Sequence, residues 1–310
     1  MKFIRHWFDN GEPRVSSAEY DKSDTGVDWL RVIPFIVMHL ACLTVLFVGV
    51  STVAVVTAIT LYLLRMFAIT AFYHRYFSHK AFRTSRKIQF IFALIGASAT
   101  QRGPLWWAAH HRQHHRYADQ PADPHSPKQG FFWSHMGWFL SGKHYQADYN
   151  LVQDWKRFVE LRWLDRFDLI APVLLALTLF IFGVLLEKFA PELKTSGWQM
   201  LVWGYFISTV VLLHVTLLIN SMAHRIGKKR YTTNDESRNN FLLALLTLGE
   251  GWHNNHHHYP ASARQGFYWW EVDVSYYLLK LMQKSGLIWD VRTVPLHKRD
   301  SKKIIPEADL

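Results

Sequence analysis

Thirty-three consecutive residues, from Val32 to Leu64, contain no Asp, Glu, Lys or Arg. A membrane helix needs about 20 apolar residues, so this run is too long for one crossing and suits a hairpin of two. A bilayer interior gives the backbone no hydrogen-bonding partner, which leaves helices as the natural outcome for such a run. Two more apolar runs follow, and the pattern predicts four spans at about 32–49, 53–72, 169–186 and 199–219. The expected fold is therefore all-α and integral to a membrane: four transmembrane helices carrying a cytoplasmic helical cap. Residues 32–290 form one membrane domain between a cytoplasmic segment, 1–31, and a basic, solvated tail, 291–310.

The formal net charge of +11 raises the question of nucleic acid, and the distribution of charge answers it. Of the 35 Lys and Arg, 32 fall in 1–31, 73–168 and 225–310, all on one side of the expected spans. Basic residues gathered in this way mark the cytoplasmic face of a membrane protein. Both termini then lie inside. The single cysteine, Cys42, excludes internal disulfides and four-cysteine metal sites and reads as a small apolar residue in a helix. Residues 1–30 mix charges with Trp7, Phe8 and Trp29 and lack the apolar centre of a cleavable signal peptide. The apolar stretch Ile88–Ala99 is short for a span and is expected to be re-entrant or interfacial, as is an amphipathic helix over Phe267–Leu281.

Histidines cluster beside these runs. His253, His256 and His257 repeat the spacing of His111, His114 and His115, and His74 and His79 stand five residues apart. Residues i, i+3 and i+4 share one side of a helix, so each triplet should project together. The i, i+5 pair suits a helix end that unwinds. With His224, and with Asn220 one turn before it, nine imidazoles are available. That is more than one ion uses, since zinc ordinarily takes four ligands, and it is natural for two. An all-imidazole set at a membrane face favours redox-active iron over hydrolytic zinc. Carboxylates should orient the rings, with Glu250, Asp119 and Asp123 as candidates. His39 and His214 lie inside apolar spans and are read as an interhelical hydrogen bond ahead of a bis-histidine haem. His6, His144 and His297 are read as solvated, and His110, His125, His135 and His258 as bystanders near the clusters.

The segments His74-Arg75-Tyr76-Phe77-Ser78-His79, His111-Arg112-Gln113-His114-His115, Asn220-Ser221-Met222-Ala223-His224 and Gly249-Glu250-Gly251-Trp252-His253-Asn254-Asn255-His256-His257 together resemble the membrane fatty acyl desaturases. The likeness is to the acyl-CoA Δ9 (stearoyl-CoA-type) branch and covers about residues 30–290. It implies a cis double bond placed in a saturated C16–C18 chain by O2-dependent removal of two hydrogens at two iron ions. It also implies an acyl chain in a bent tunnel, with Gln101 and Thr216 among its lining. The implied iron ligands are His74, His79, His111, His114, His115, His224, His253, His256 and His257, with Asn220 acting through a water. The substrate would be a fatty acyl thioester, CoA first, although Ala109-His110 stands where animal relatives carry a basic and an acidic residue. No fused cytochrome b5 module is recognisable, so electrons would come from a separate ferredoxin-like or cytochrome b5-like donor and its reductase. Trp252 and Asn255 point to a bacterial inner membrane. An acyl or alkane hydroxylase with the same metals is the rival enzyme, and a metal-storing or haem-carrying membrane protein is the rival outside catalysis.

Overall fold

The computed structural model describes residues 7–11 and 26–304. Helices dominate, in the order α1 (Trp29–Cys42), α2 (Thr52–Ser78), α3 (Arg86–Ala97), α4 (Pro104–Tyr117), α5 (Val159–Arg166), α6 (Ile170–Phe189), α7 (Gly197–Met222), α8 (Phe241–Leu246), α9 (His253–His258) and α10 (Val274–Lys284). A two-stranded antiparallel ladder pairs β1 (Arg83–Thr84) with β2 (Ile288–Trp289), Arg83 opposite Trp289.

Three helices are long and apolar enough to cross a membrane: α2, α6 and α7. Outward residues such as Val56, Leu177 and Ile181 are exposed, as a lipid-facing surface requires. The run expected as the first span differs. Val32–Val48 is apolar but shorter, and it is broken. At Leu43 and Thr44 the backbone tightens to i→i−3 bonds, to Leu40 O (3.0 Å) and Ala41 O (3.2 Å). Pro34 inside α1 removes a further donor.

The second run is longer than hydropathy alone indicates. Ser51 caps α2 by accepting from Ala54 N (3.2 Å), and the helix then continues past Phe72 to Ser78. Arg65, which the sequence places near the end of this span, lies fully buried along it. Its guanidinium donates to Thr209 Oγ1 (2.7 Å), Ser208 Oγ (2.5 Å) and the Leu61 carbonyl (3.1 Å). A charge in an apolar bundle is tolerated only when its donors are met in this way. From Ala68 to Ser78 the helix widens into π turns.

That widened end packs against α3 and α4 through Phe72, Tyr73, Phe77, Phe82 and Leu105, all buried. Helix α4 starts with Pro104 at its first turn, and its cap comes from another element. Asp165 of α5 accepts from Leu105 N (3.0 Å) and Trp106 N (2.9 Å). Gly103 permits the approach, since a Cβ there would stand 2.3 Å from Asp165 Oδ1. The expected interfacial helices appear as α3, capped by Ser85, and as α10, which starts only at Val274 because Asp273 caps it by accepting from Tyr276 N (3.0 Å).

The tail is more engaged than its basic composition indicates. Thr232 N donates to Lys302 O (2.9 Å), Ile304 N donates to Arg230 O (2.8 Å), and β2 is paired, so 288–304 is tied to the body. At the other end, Asn10 N donates to Arg166 O (2.9 Å). His6 lies outside the described residues.

Candidate metal centre

The end of α2, the middle of α4, the turn after α7 and the whole of α9 meet at one place. There the nine expected histidines fall into two groups. His74, His79, His111, His115 and His256 form one, and His114, His224, His253 and His257 the other, each with ligand atoms within 4.8 Å of one another. Helix α4 serves both groups because His111 and His115 share a face from which His114 is turned aside. Helix α9 does the same, giving His256 to one group and His253 and His257 to the other.

His79 stands just past Ser78, in the turn that ends α2, as the expectation of a helix end that unwinds requires. In a π turn the bond runs i→i+5, so residues five apart stack on one face. Their ring centroids lie 5.0 Å apart. The widened end of α2 and the turn after it, where His79 N donates to Tyr76 O, together bring this pair into contact.

The Nε2 atoms face inward. Those of His74 and His256 are 3.0 Å apart, His79 and His111 2.8 Å, and His256 and His115 2.8 Å. In the second group His224 and His253 are 3.0 Å apart, His257 and His253 3.1 Å, and His114 and His257 3.4 Å. Two nitrogens each about 2.1 Å from one ion and at right angles to each other stand about 3.0 Å apart. The donor set fits a metal ion in each group.

Four of the nine outer nitrogens are held by carboxylates. His114 Nδ1 lies 3.0 Å from Asp123, His224 Nδ1 3.1 Å from Asp119, and His257 Nδ1 2.8 Å from Asp235. Glu250 contacts His74 Nδ1, accepts from Arg75 Nε (3.1 Å) and from Gln265 Nε2 (2.7 Å), and is buried. An Nδ1–H given to a carboxylate fixes the tautomer that leaves Nε2 free to bind a metal. Sequence reasoning found Glu250, Asp119 and Asp123 but not Asp235, which sits in a polar stretch with no spacing linked to the histidines.

Local backbone chemistry places these groups. Asp119 takes a left-handed conformation (φ 62°) just past the end of α4, a state Asp tolerates better than most side chains. Gly249 has φ 130°, and at Gly251 a Cβ would stand 2.1 Å from Ala244 N, so Glu250 needs both neighbours to be glycine. Asn254 and Asn255 are anchors for α9. Asn254 Oδ1 accepts from Arg230 N (2.8 Å) and Tyr231 N (2.7 Å), and Asn255 Nδ2 donates to Gln265 O (2.9 Å).

Burial, with the neighbouring imidazoles adding to it, pushes His79, His111, His115, His253 and His256 well below the usual imidazole pKa. Burial lowers His257 to about 4 against the pull of Asp235. At His114 burial is outweighed by Asp123, and the pKa rises.

A mostly apolar cavity of about 580 Å³ runs to this centre, bordered by Trp107, His111 and Asn220 at the metal side and by Met38, Phe206 and Leu213 among the long helices. Gln101 and Thr216 both line it, as expected, and Gln101 Nε2 donates to Thr216 Oγ1 (3.1 Å). A second, small cavity of about 50 Å³ touches His74 and His111 of one group, His114 and His253 of the other, and Asn220.

The family model described as fatty acid desaturase matches residues 51–287. The chain belongs to the fatty acid desaturase family. It is 37% identical over 268 residues to an acyl-CoA 5-desaturase of Anemone leveillei, covering 84% of this chain and 79% of that protein. It is 36% identical to an sn-2 palmitoyl-lipid 9-desaturase of Nostoc sp., covering 86% and 91%. To an sn-1 stearoyl-lipid 9-desaturase of Synechocystis sp. it is 36% identical over 305 residues, covering 94% and 88%. The relatives of this desaturase thus include acyl-lipid and acyl-CoA types, and both 5- and 9-desaturases.

The remaining histidines divide. His39 Nε2 and His214 Nε2 are 2.9 Å apart, which is the interhelical hydrogen bond and leaves no room for a haem iron between them. His214 Nδ1 continues to His135 Nε2 (3.0 Å), whose Nδ1 meets Ser221 Oγ (3.0 Å). His297 is exposed as expected. His144 is not: it is buried against Trp133, Trp138 and His110, because the 133–144 turn folds under α4. His258 stacks on Tyr231 and meets Lys298 O (2.7 Å).

Proposed function

We propose that this desaturase places a cis double bond, at Δ9, in a saturated C16–C18 acyl chain, using two iron ions. The observation that carries the reading is the division of nine inward Nε2 atoms into groups of five and four beside a chain-shaped apolar cavity. Five nitrogens exceed the four ligands zinc prefers, and neutral imidazoles suit a redox-active first-row metal.

Bound iron would supply the activation of O2 and the removal of the two hydrogens. The chain's residues do the rest. Trp107, His111 and Asn220 border both the large cavity and the small one beside the histidines, so an acyl chain lying in the large cavity would pass next to the metal groups. The Gln101–Thr216 bond crosses the wall beside them. Asp119, Asp123, Asp235 and Glu250 hold the rings in one tautomer while the charge on the centre changes. The atom balance is that CH2–CH2 and O2, with two electrons and two protons, give CH=CH and two waters. Those electrons come from a separate ferredoxin-like or cytochrome b5-like partner.

The membrane reading rests on α2, α6 and α7, with α1 and Val45–Val48 completing a fourth, interrupted crossing. Our reading has the metal centre and both ends of the chain on the cytoplasmic side of a bacterial inner membrane, and the basic segments support that side. The Δ9 position is supported by the lipid 9-desaturases among the relatives.

The test is expression in a host lacking the activity, with fatty acids analysed by gas chromatography–mass spectrometry after derivatisation to locate the double bond. The purified, iron-loaded protein is then given stearoyl-CoA and stearoyl glycerolipid in parallel to assign the carrier. Δ9-monounsaturated C16 and C18 chains are expected. Hydroxy acids in their place would establish the hydroxylase instead.

A further inference from the structure

The cavity wall contains buried polar atoms that the fold does not engage. His110 stands one residue before the ligand His111 and is 3% exposed. Its ring lies 4.4 Å from that of Trp106, 5.4 Å from Trp138 and 5.8 Å from His144, centroid to centroid. One ring nitrogen approaches the His144 backbone, yet neither makes a well-directed hydrogen bond. The Trp138 Nε1–H is also buried and unpaired. Both side chains border the same large cavity that reaches His111 and Asn220.

Buried donors without partners are costly and ordinarily find one, so two beside each other on an otherwise apolar wall call for a polar visitor. The nearest guanidinium is already engaged, with Arg102 Nε 3.2 Å from Asp168 Oδ2 and its Nη2 donating to Tyr145 O (3.3 Å). An indole N–H can only donate, and the imidazole beside it offers a second N–H, so what the pair matches is an acceptor oxygen. The acceptor oxygen that an acyl chain brings into such a cavity is its ester or thioester carbonyl.

We propose that the His110 imidazole and the Trp138 indole N–H seat the carbonyl oxygen of the bound acyl group, so that the double bond is placed by counting from that anchor. This rests on the desaturase reading above. His110 and Trp138 are positioning residues: they touch the substrate's head, not the carbons that react.

The experiment compares wild type, His110→Leu, His110→Gln and Trp138→Phe, each iron-loaded and supplied with the donor. The substrates are a stearoyl ester lipid and the matching alkyl-ether lipid, which lacks the carbonyl. On the ester, His110→Leu and Trp138→Phe should raise KM by about three- to tenfold. They should also yield positional isomers that the wild type does not make, with bound iron unchanged. His110→Gln, which keeps an N–H donor, should restore the single isomer. On the ether lipid the wild type should itself show the raised KM and mixed positions, and the substitutions should add nothing. Wild-type KM and a single isomer in both His110→Leu and Trp138→Phe would overturn the proposal, leaving these donors to structural water. If His110→Leu loses iron or fails to fold, Trp138→Phe decides alone. A wild type that makes no unsaturated product from either lipid would instead refute the desaturase reading, and the carbonyl seat with it.

Discussion

Asp235 holds His257 by a 2.8 Å contact to Nδ1, across 22 residues of chain and from a loop that contributes no metal ligand. Its neighbours keep it ionised: burial works against the charge, but the His257 ring and the Ser237 donors hold its pKa well below the usual carboxylate range. Replacing Asp235 with Ala frees the His257 ring to turn. Affinity for the ion in the four-histidine group should fall about 10- to 100-fold. Metal analysis after a graded chelator challenge reads this, with one ion lost early and the other retained. Equal retention of both ions would remove Asp235 from the support of the site.

The two groups should be separable by mutation. His79→Ala removes a donor from the five-histidine group, and His253→Ala one from the four-histidine group. Each variant should bind about one metal per chain where the wild type binds two, and neither should turn over. Metal stoichiometry by plasma mass spectrometry on purified protein gives the answer. Loss of both ions in both variants would show a single coupled site.

Gly251→Ala tests the backbone around Glu250. The added Cβ would sit 2.1 Å from Ala244 N and 2.4 Å from Asn240 O, both backbone atoms that have no room to retreat. The cost should be about 1–3 kcal/mol, read as a lower melting temperature in detergent. An unchanged melting temperature with unchanged metal content would contradict the packing described.

The pH dependence of metal retention follows from the directions of the shifts. A ligand must be deprotonated to bind. His79, His111, His115, His253 and His256 have lowered values, so they stay neutral as pH falls through about 6.5 and take up protons only well below it. Asp119, Asp123 and Glu250, facing Nδ1 of His224, His114 and His74, all have lowered values too and remain ionised there. His114 alone is raised, so on acidification the four-histidine group should release its ion first. Metal content after dialysis at stepped pH checks the order. Simultaneous release at about 6.5 would contradict it.

The histidine cluster was legible in the sequence because helical spacing is rigid: His111, His114 and His115 must fall within one broad arc of α4. The same reasoning expected the helix to end between His74 and His79, and it does so at Ser78; what it missed is that the turns before that end are widened. It did not allocate ligands, because a triplet's common arc is wide enough to address two ions. Asp235 was hidden, as contacts between remote loops leave no periodic mark. His144 was misplaced for a related reason. It sits among polar residues in the chain but under α4 in space. Hydropathy located α6 and α7 closely, yet it overstated the first span, where Pro34 and the tight turn at Leu43–Thr44 interrupt an unbroken apolar composition.

Helices α4 and α9 each supply ligands to both groups, so any two ions bound there would act as a pair of rivets through the same two plates. Neither group is complete until the chain has been made as far as His257, after every long apolar helix. A chain interrupted between Met222 and His253 would therefore carry all three long apolar helices and two unfinished groups. Loading would report that assembly has finished, and losing either rivet would leave the plates free to pivot about the other.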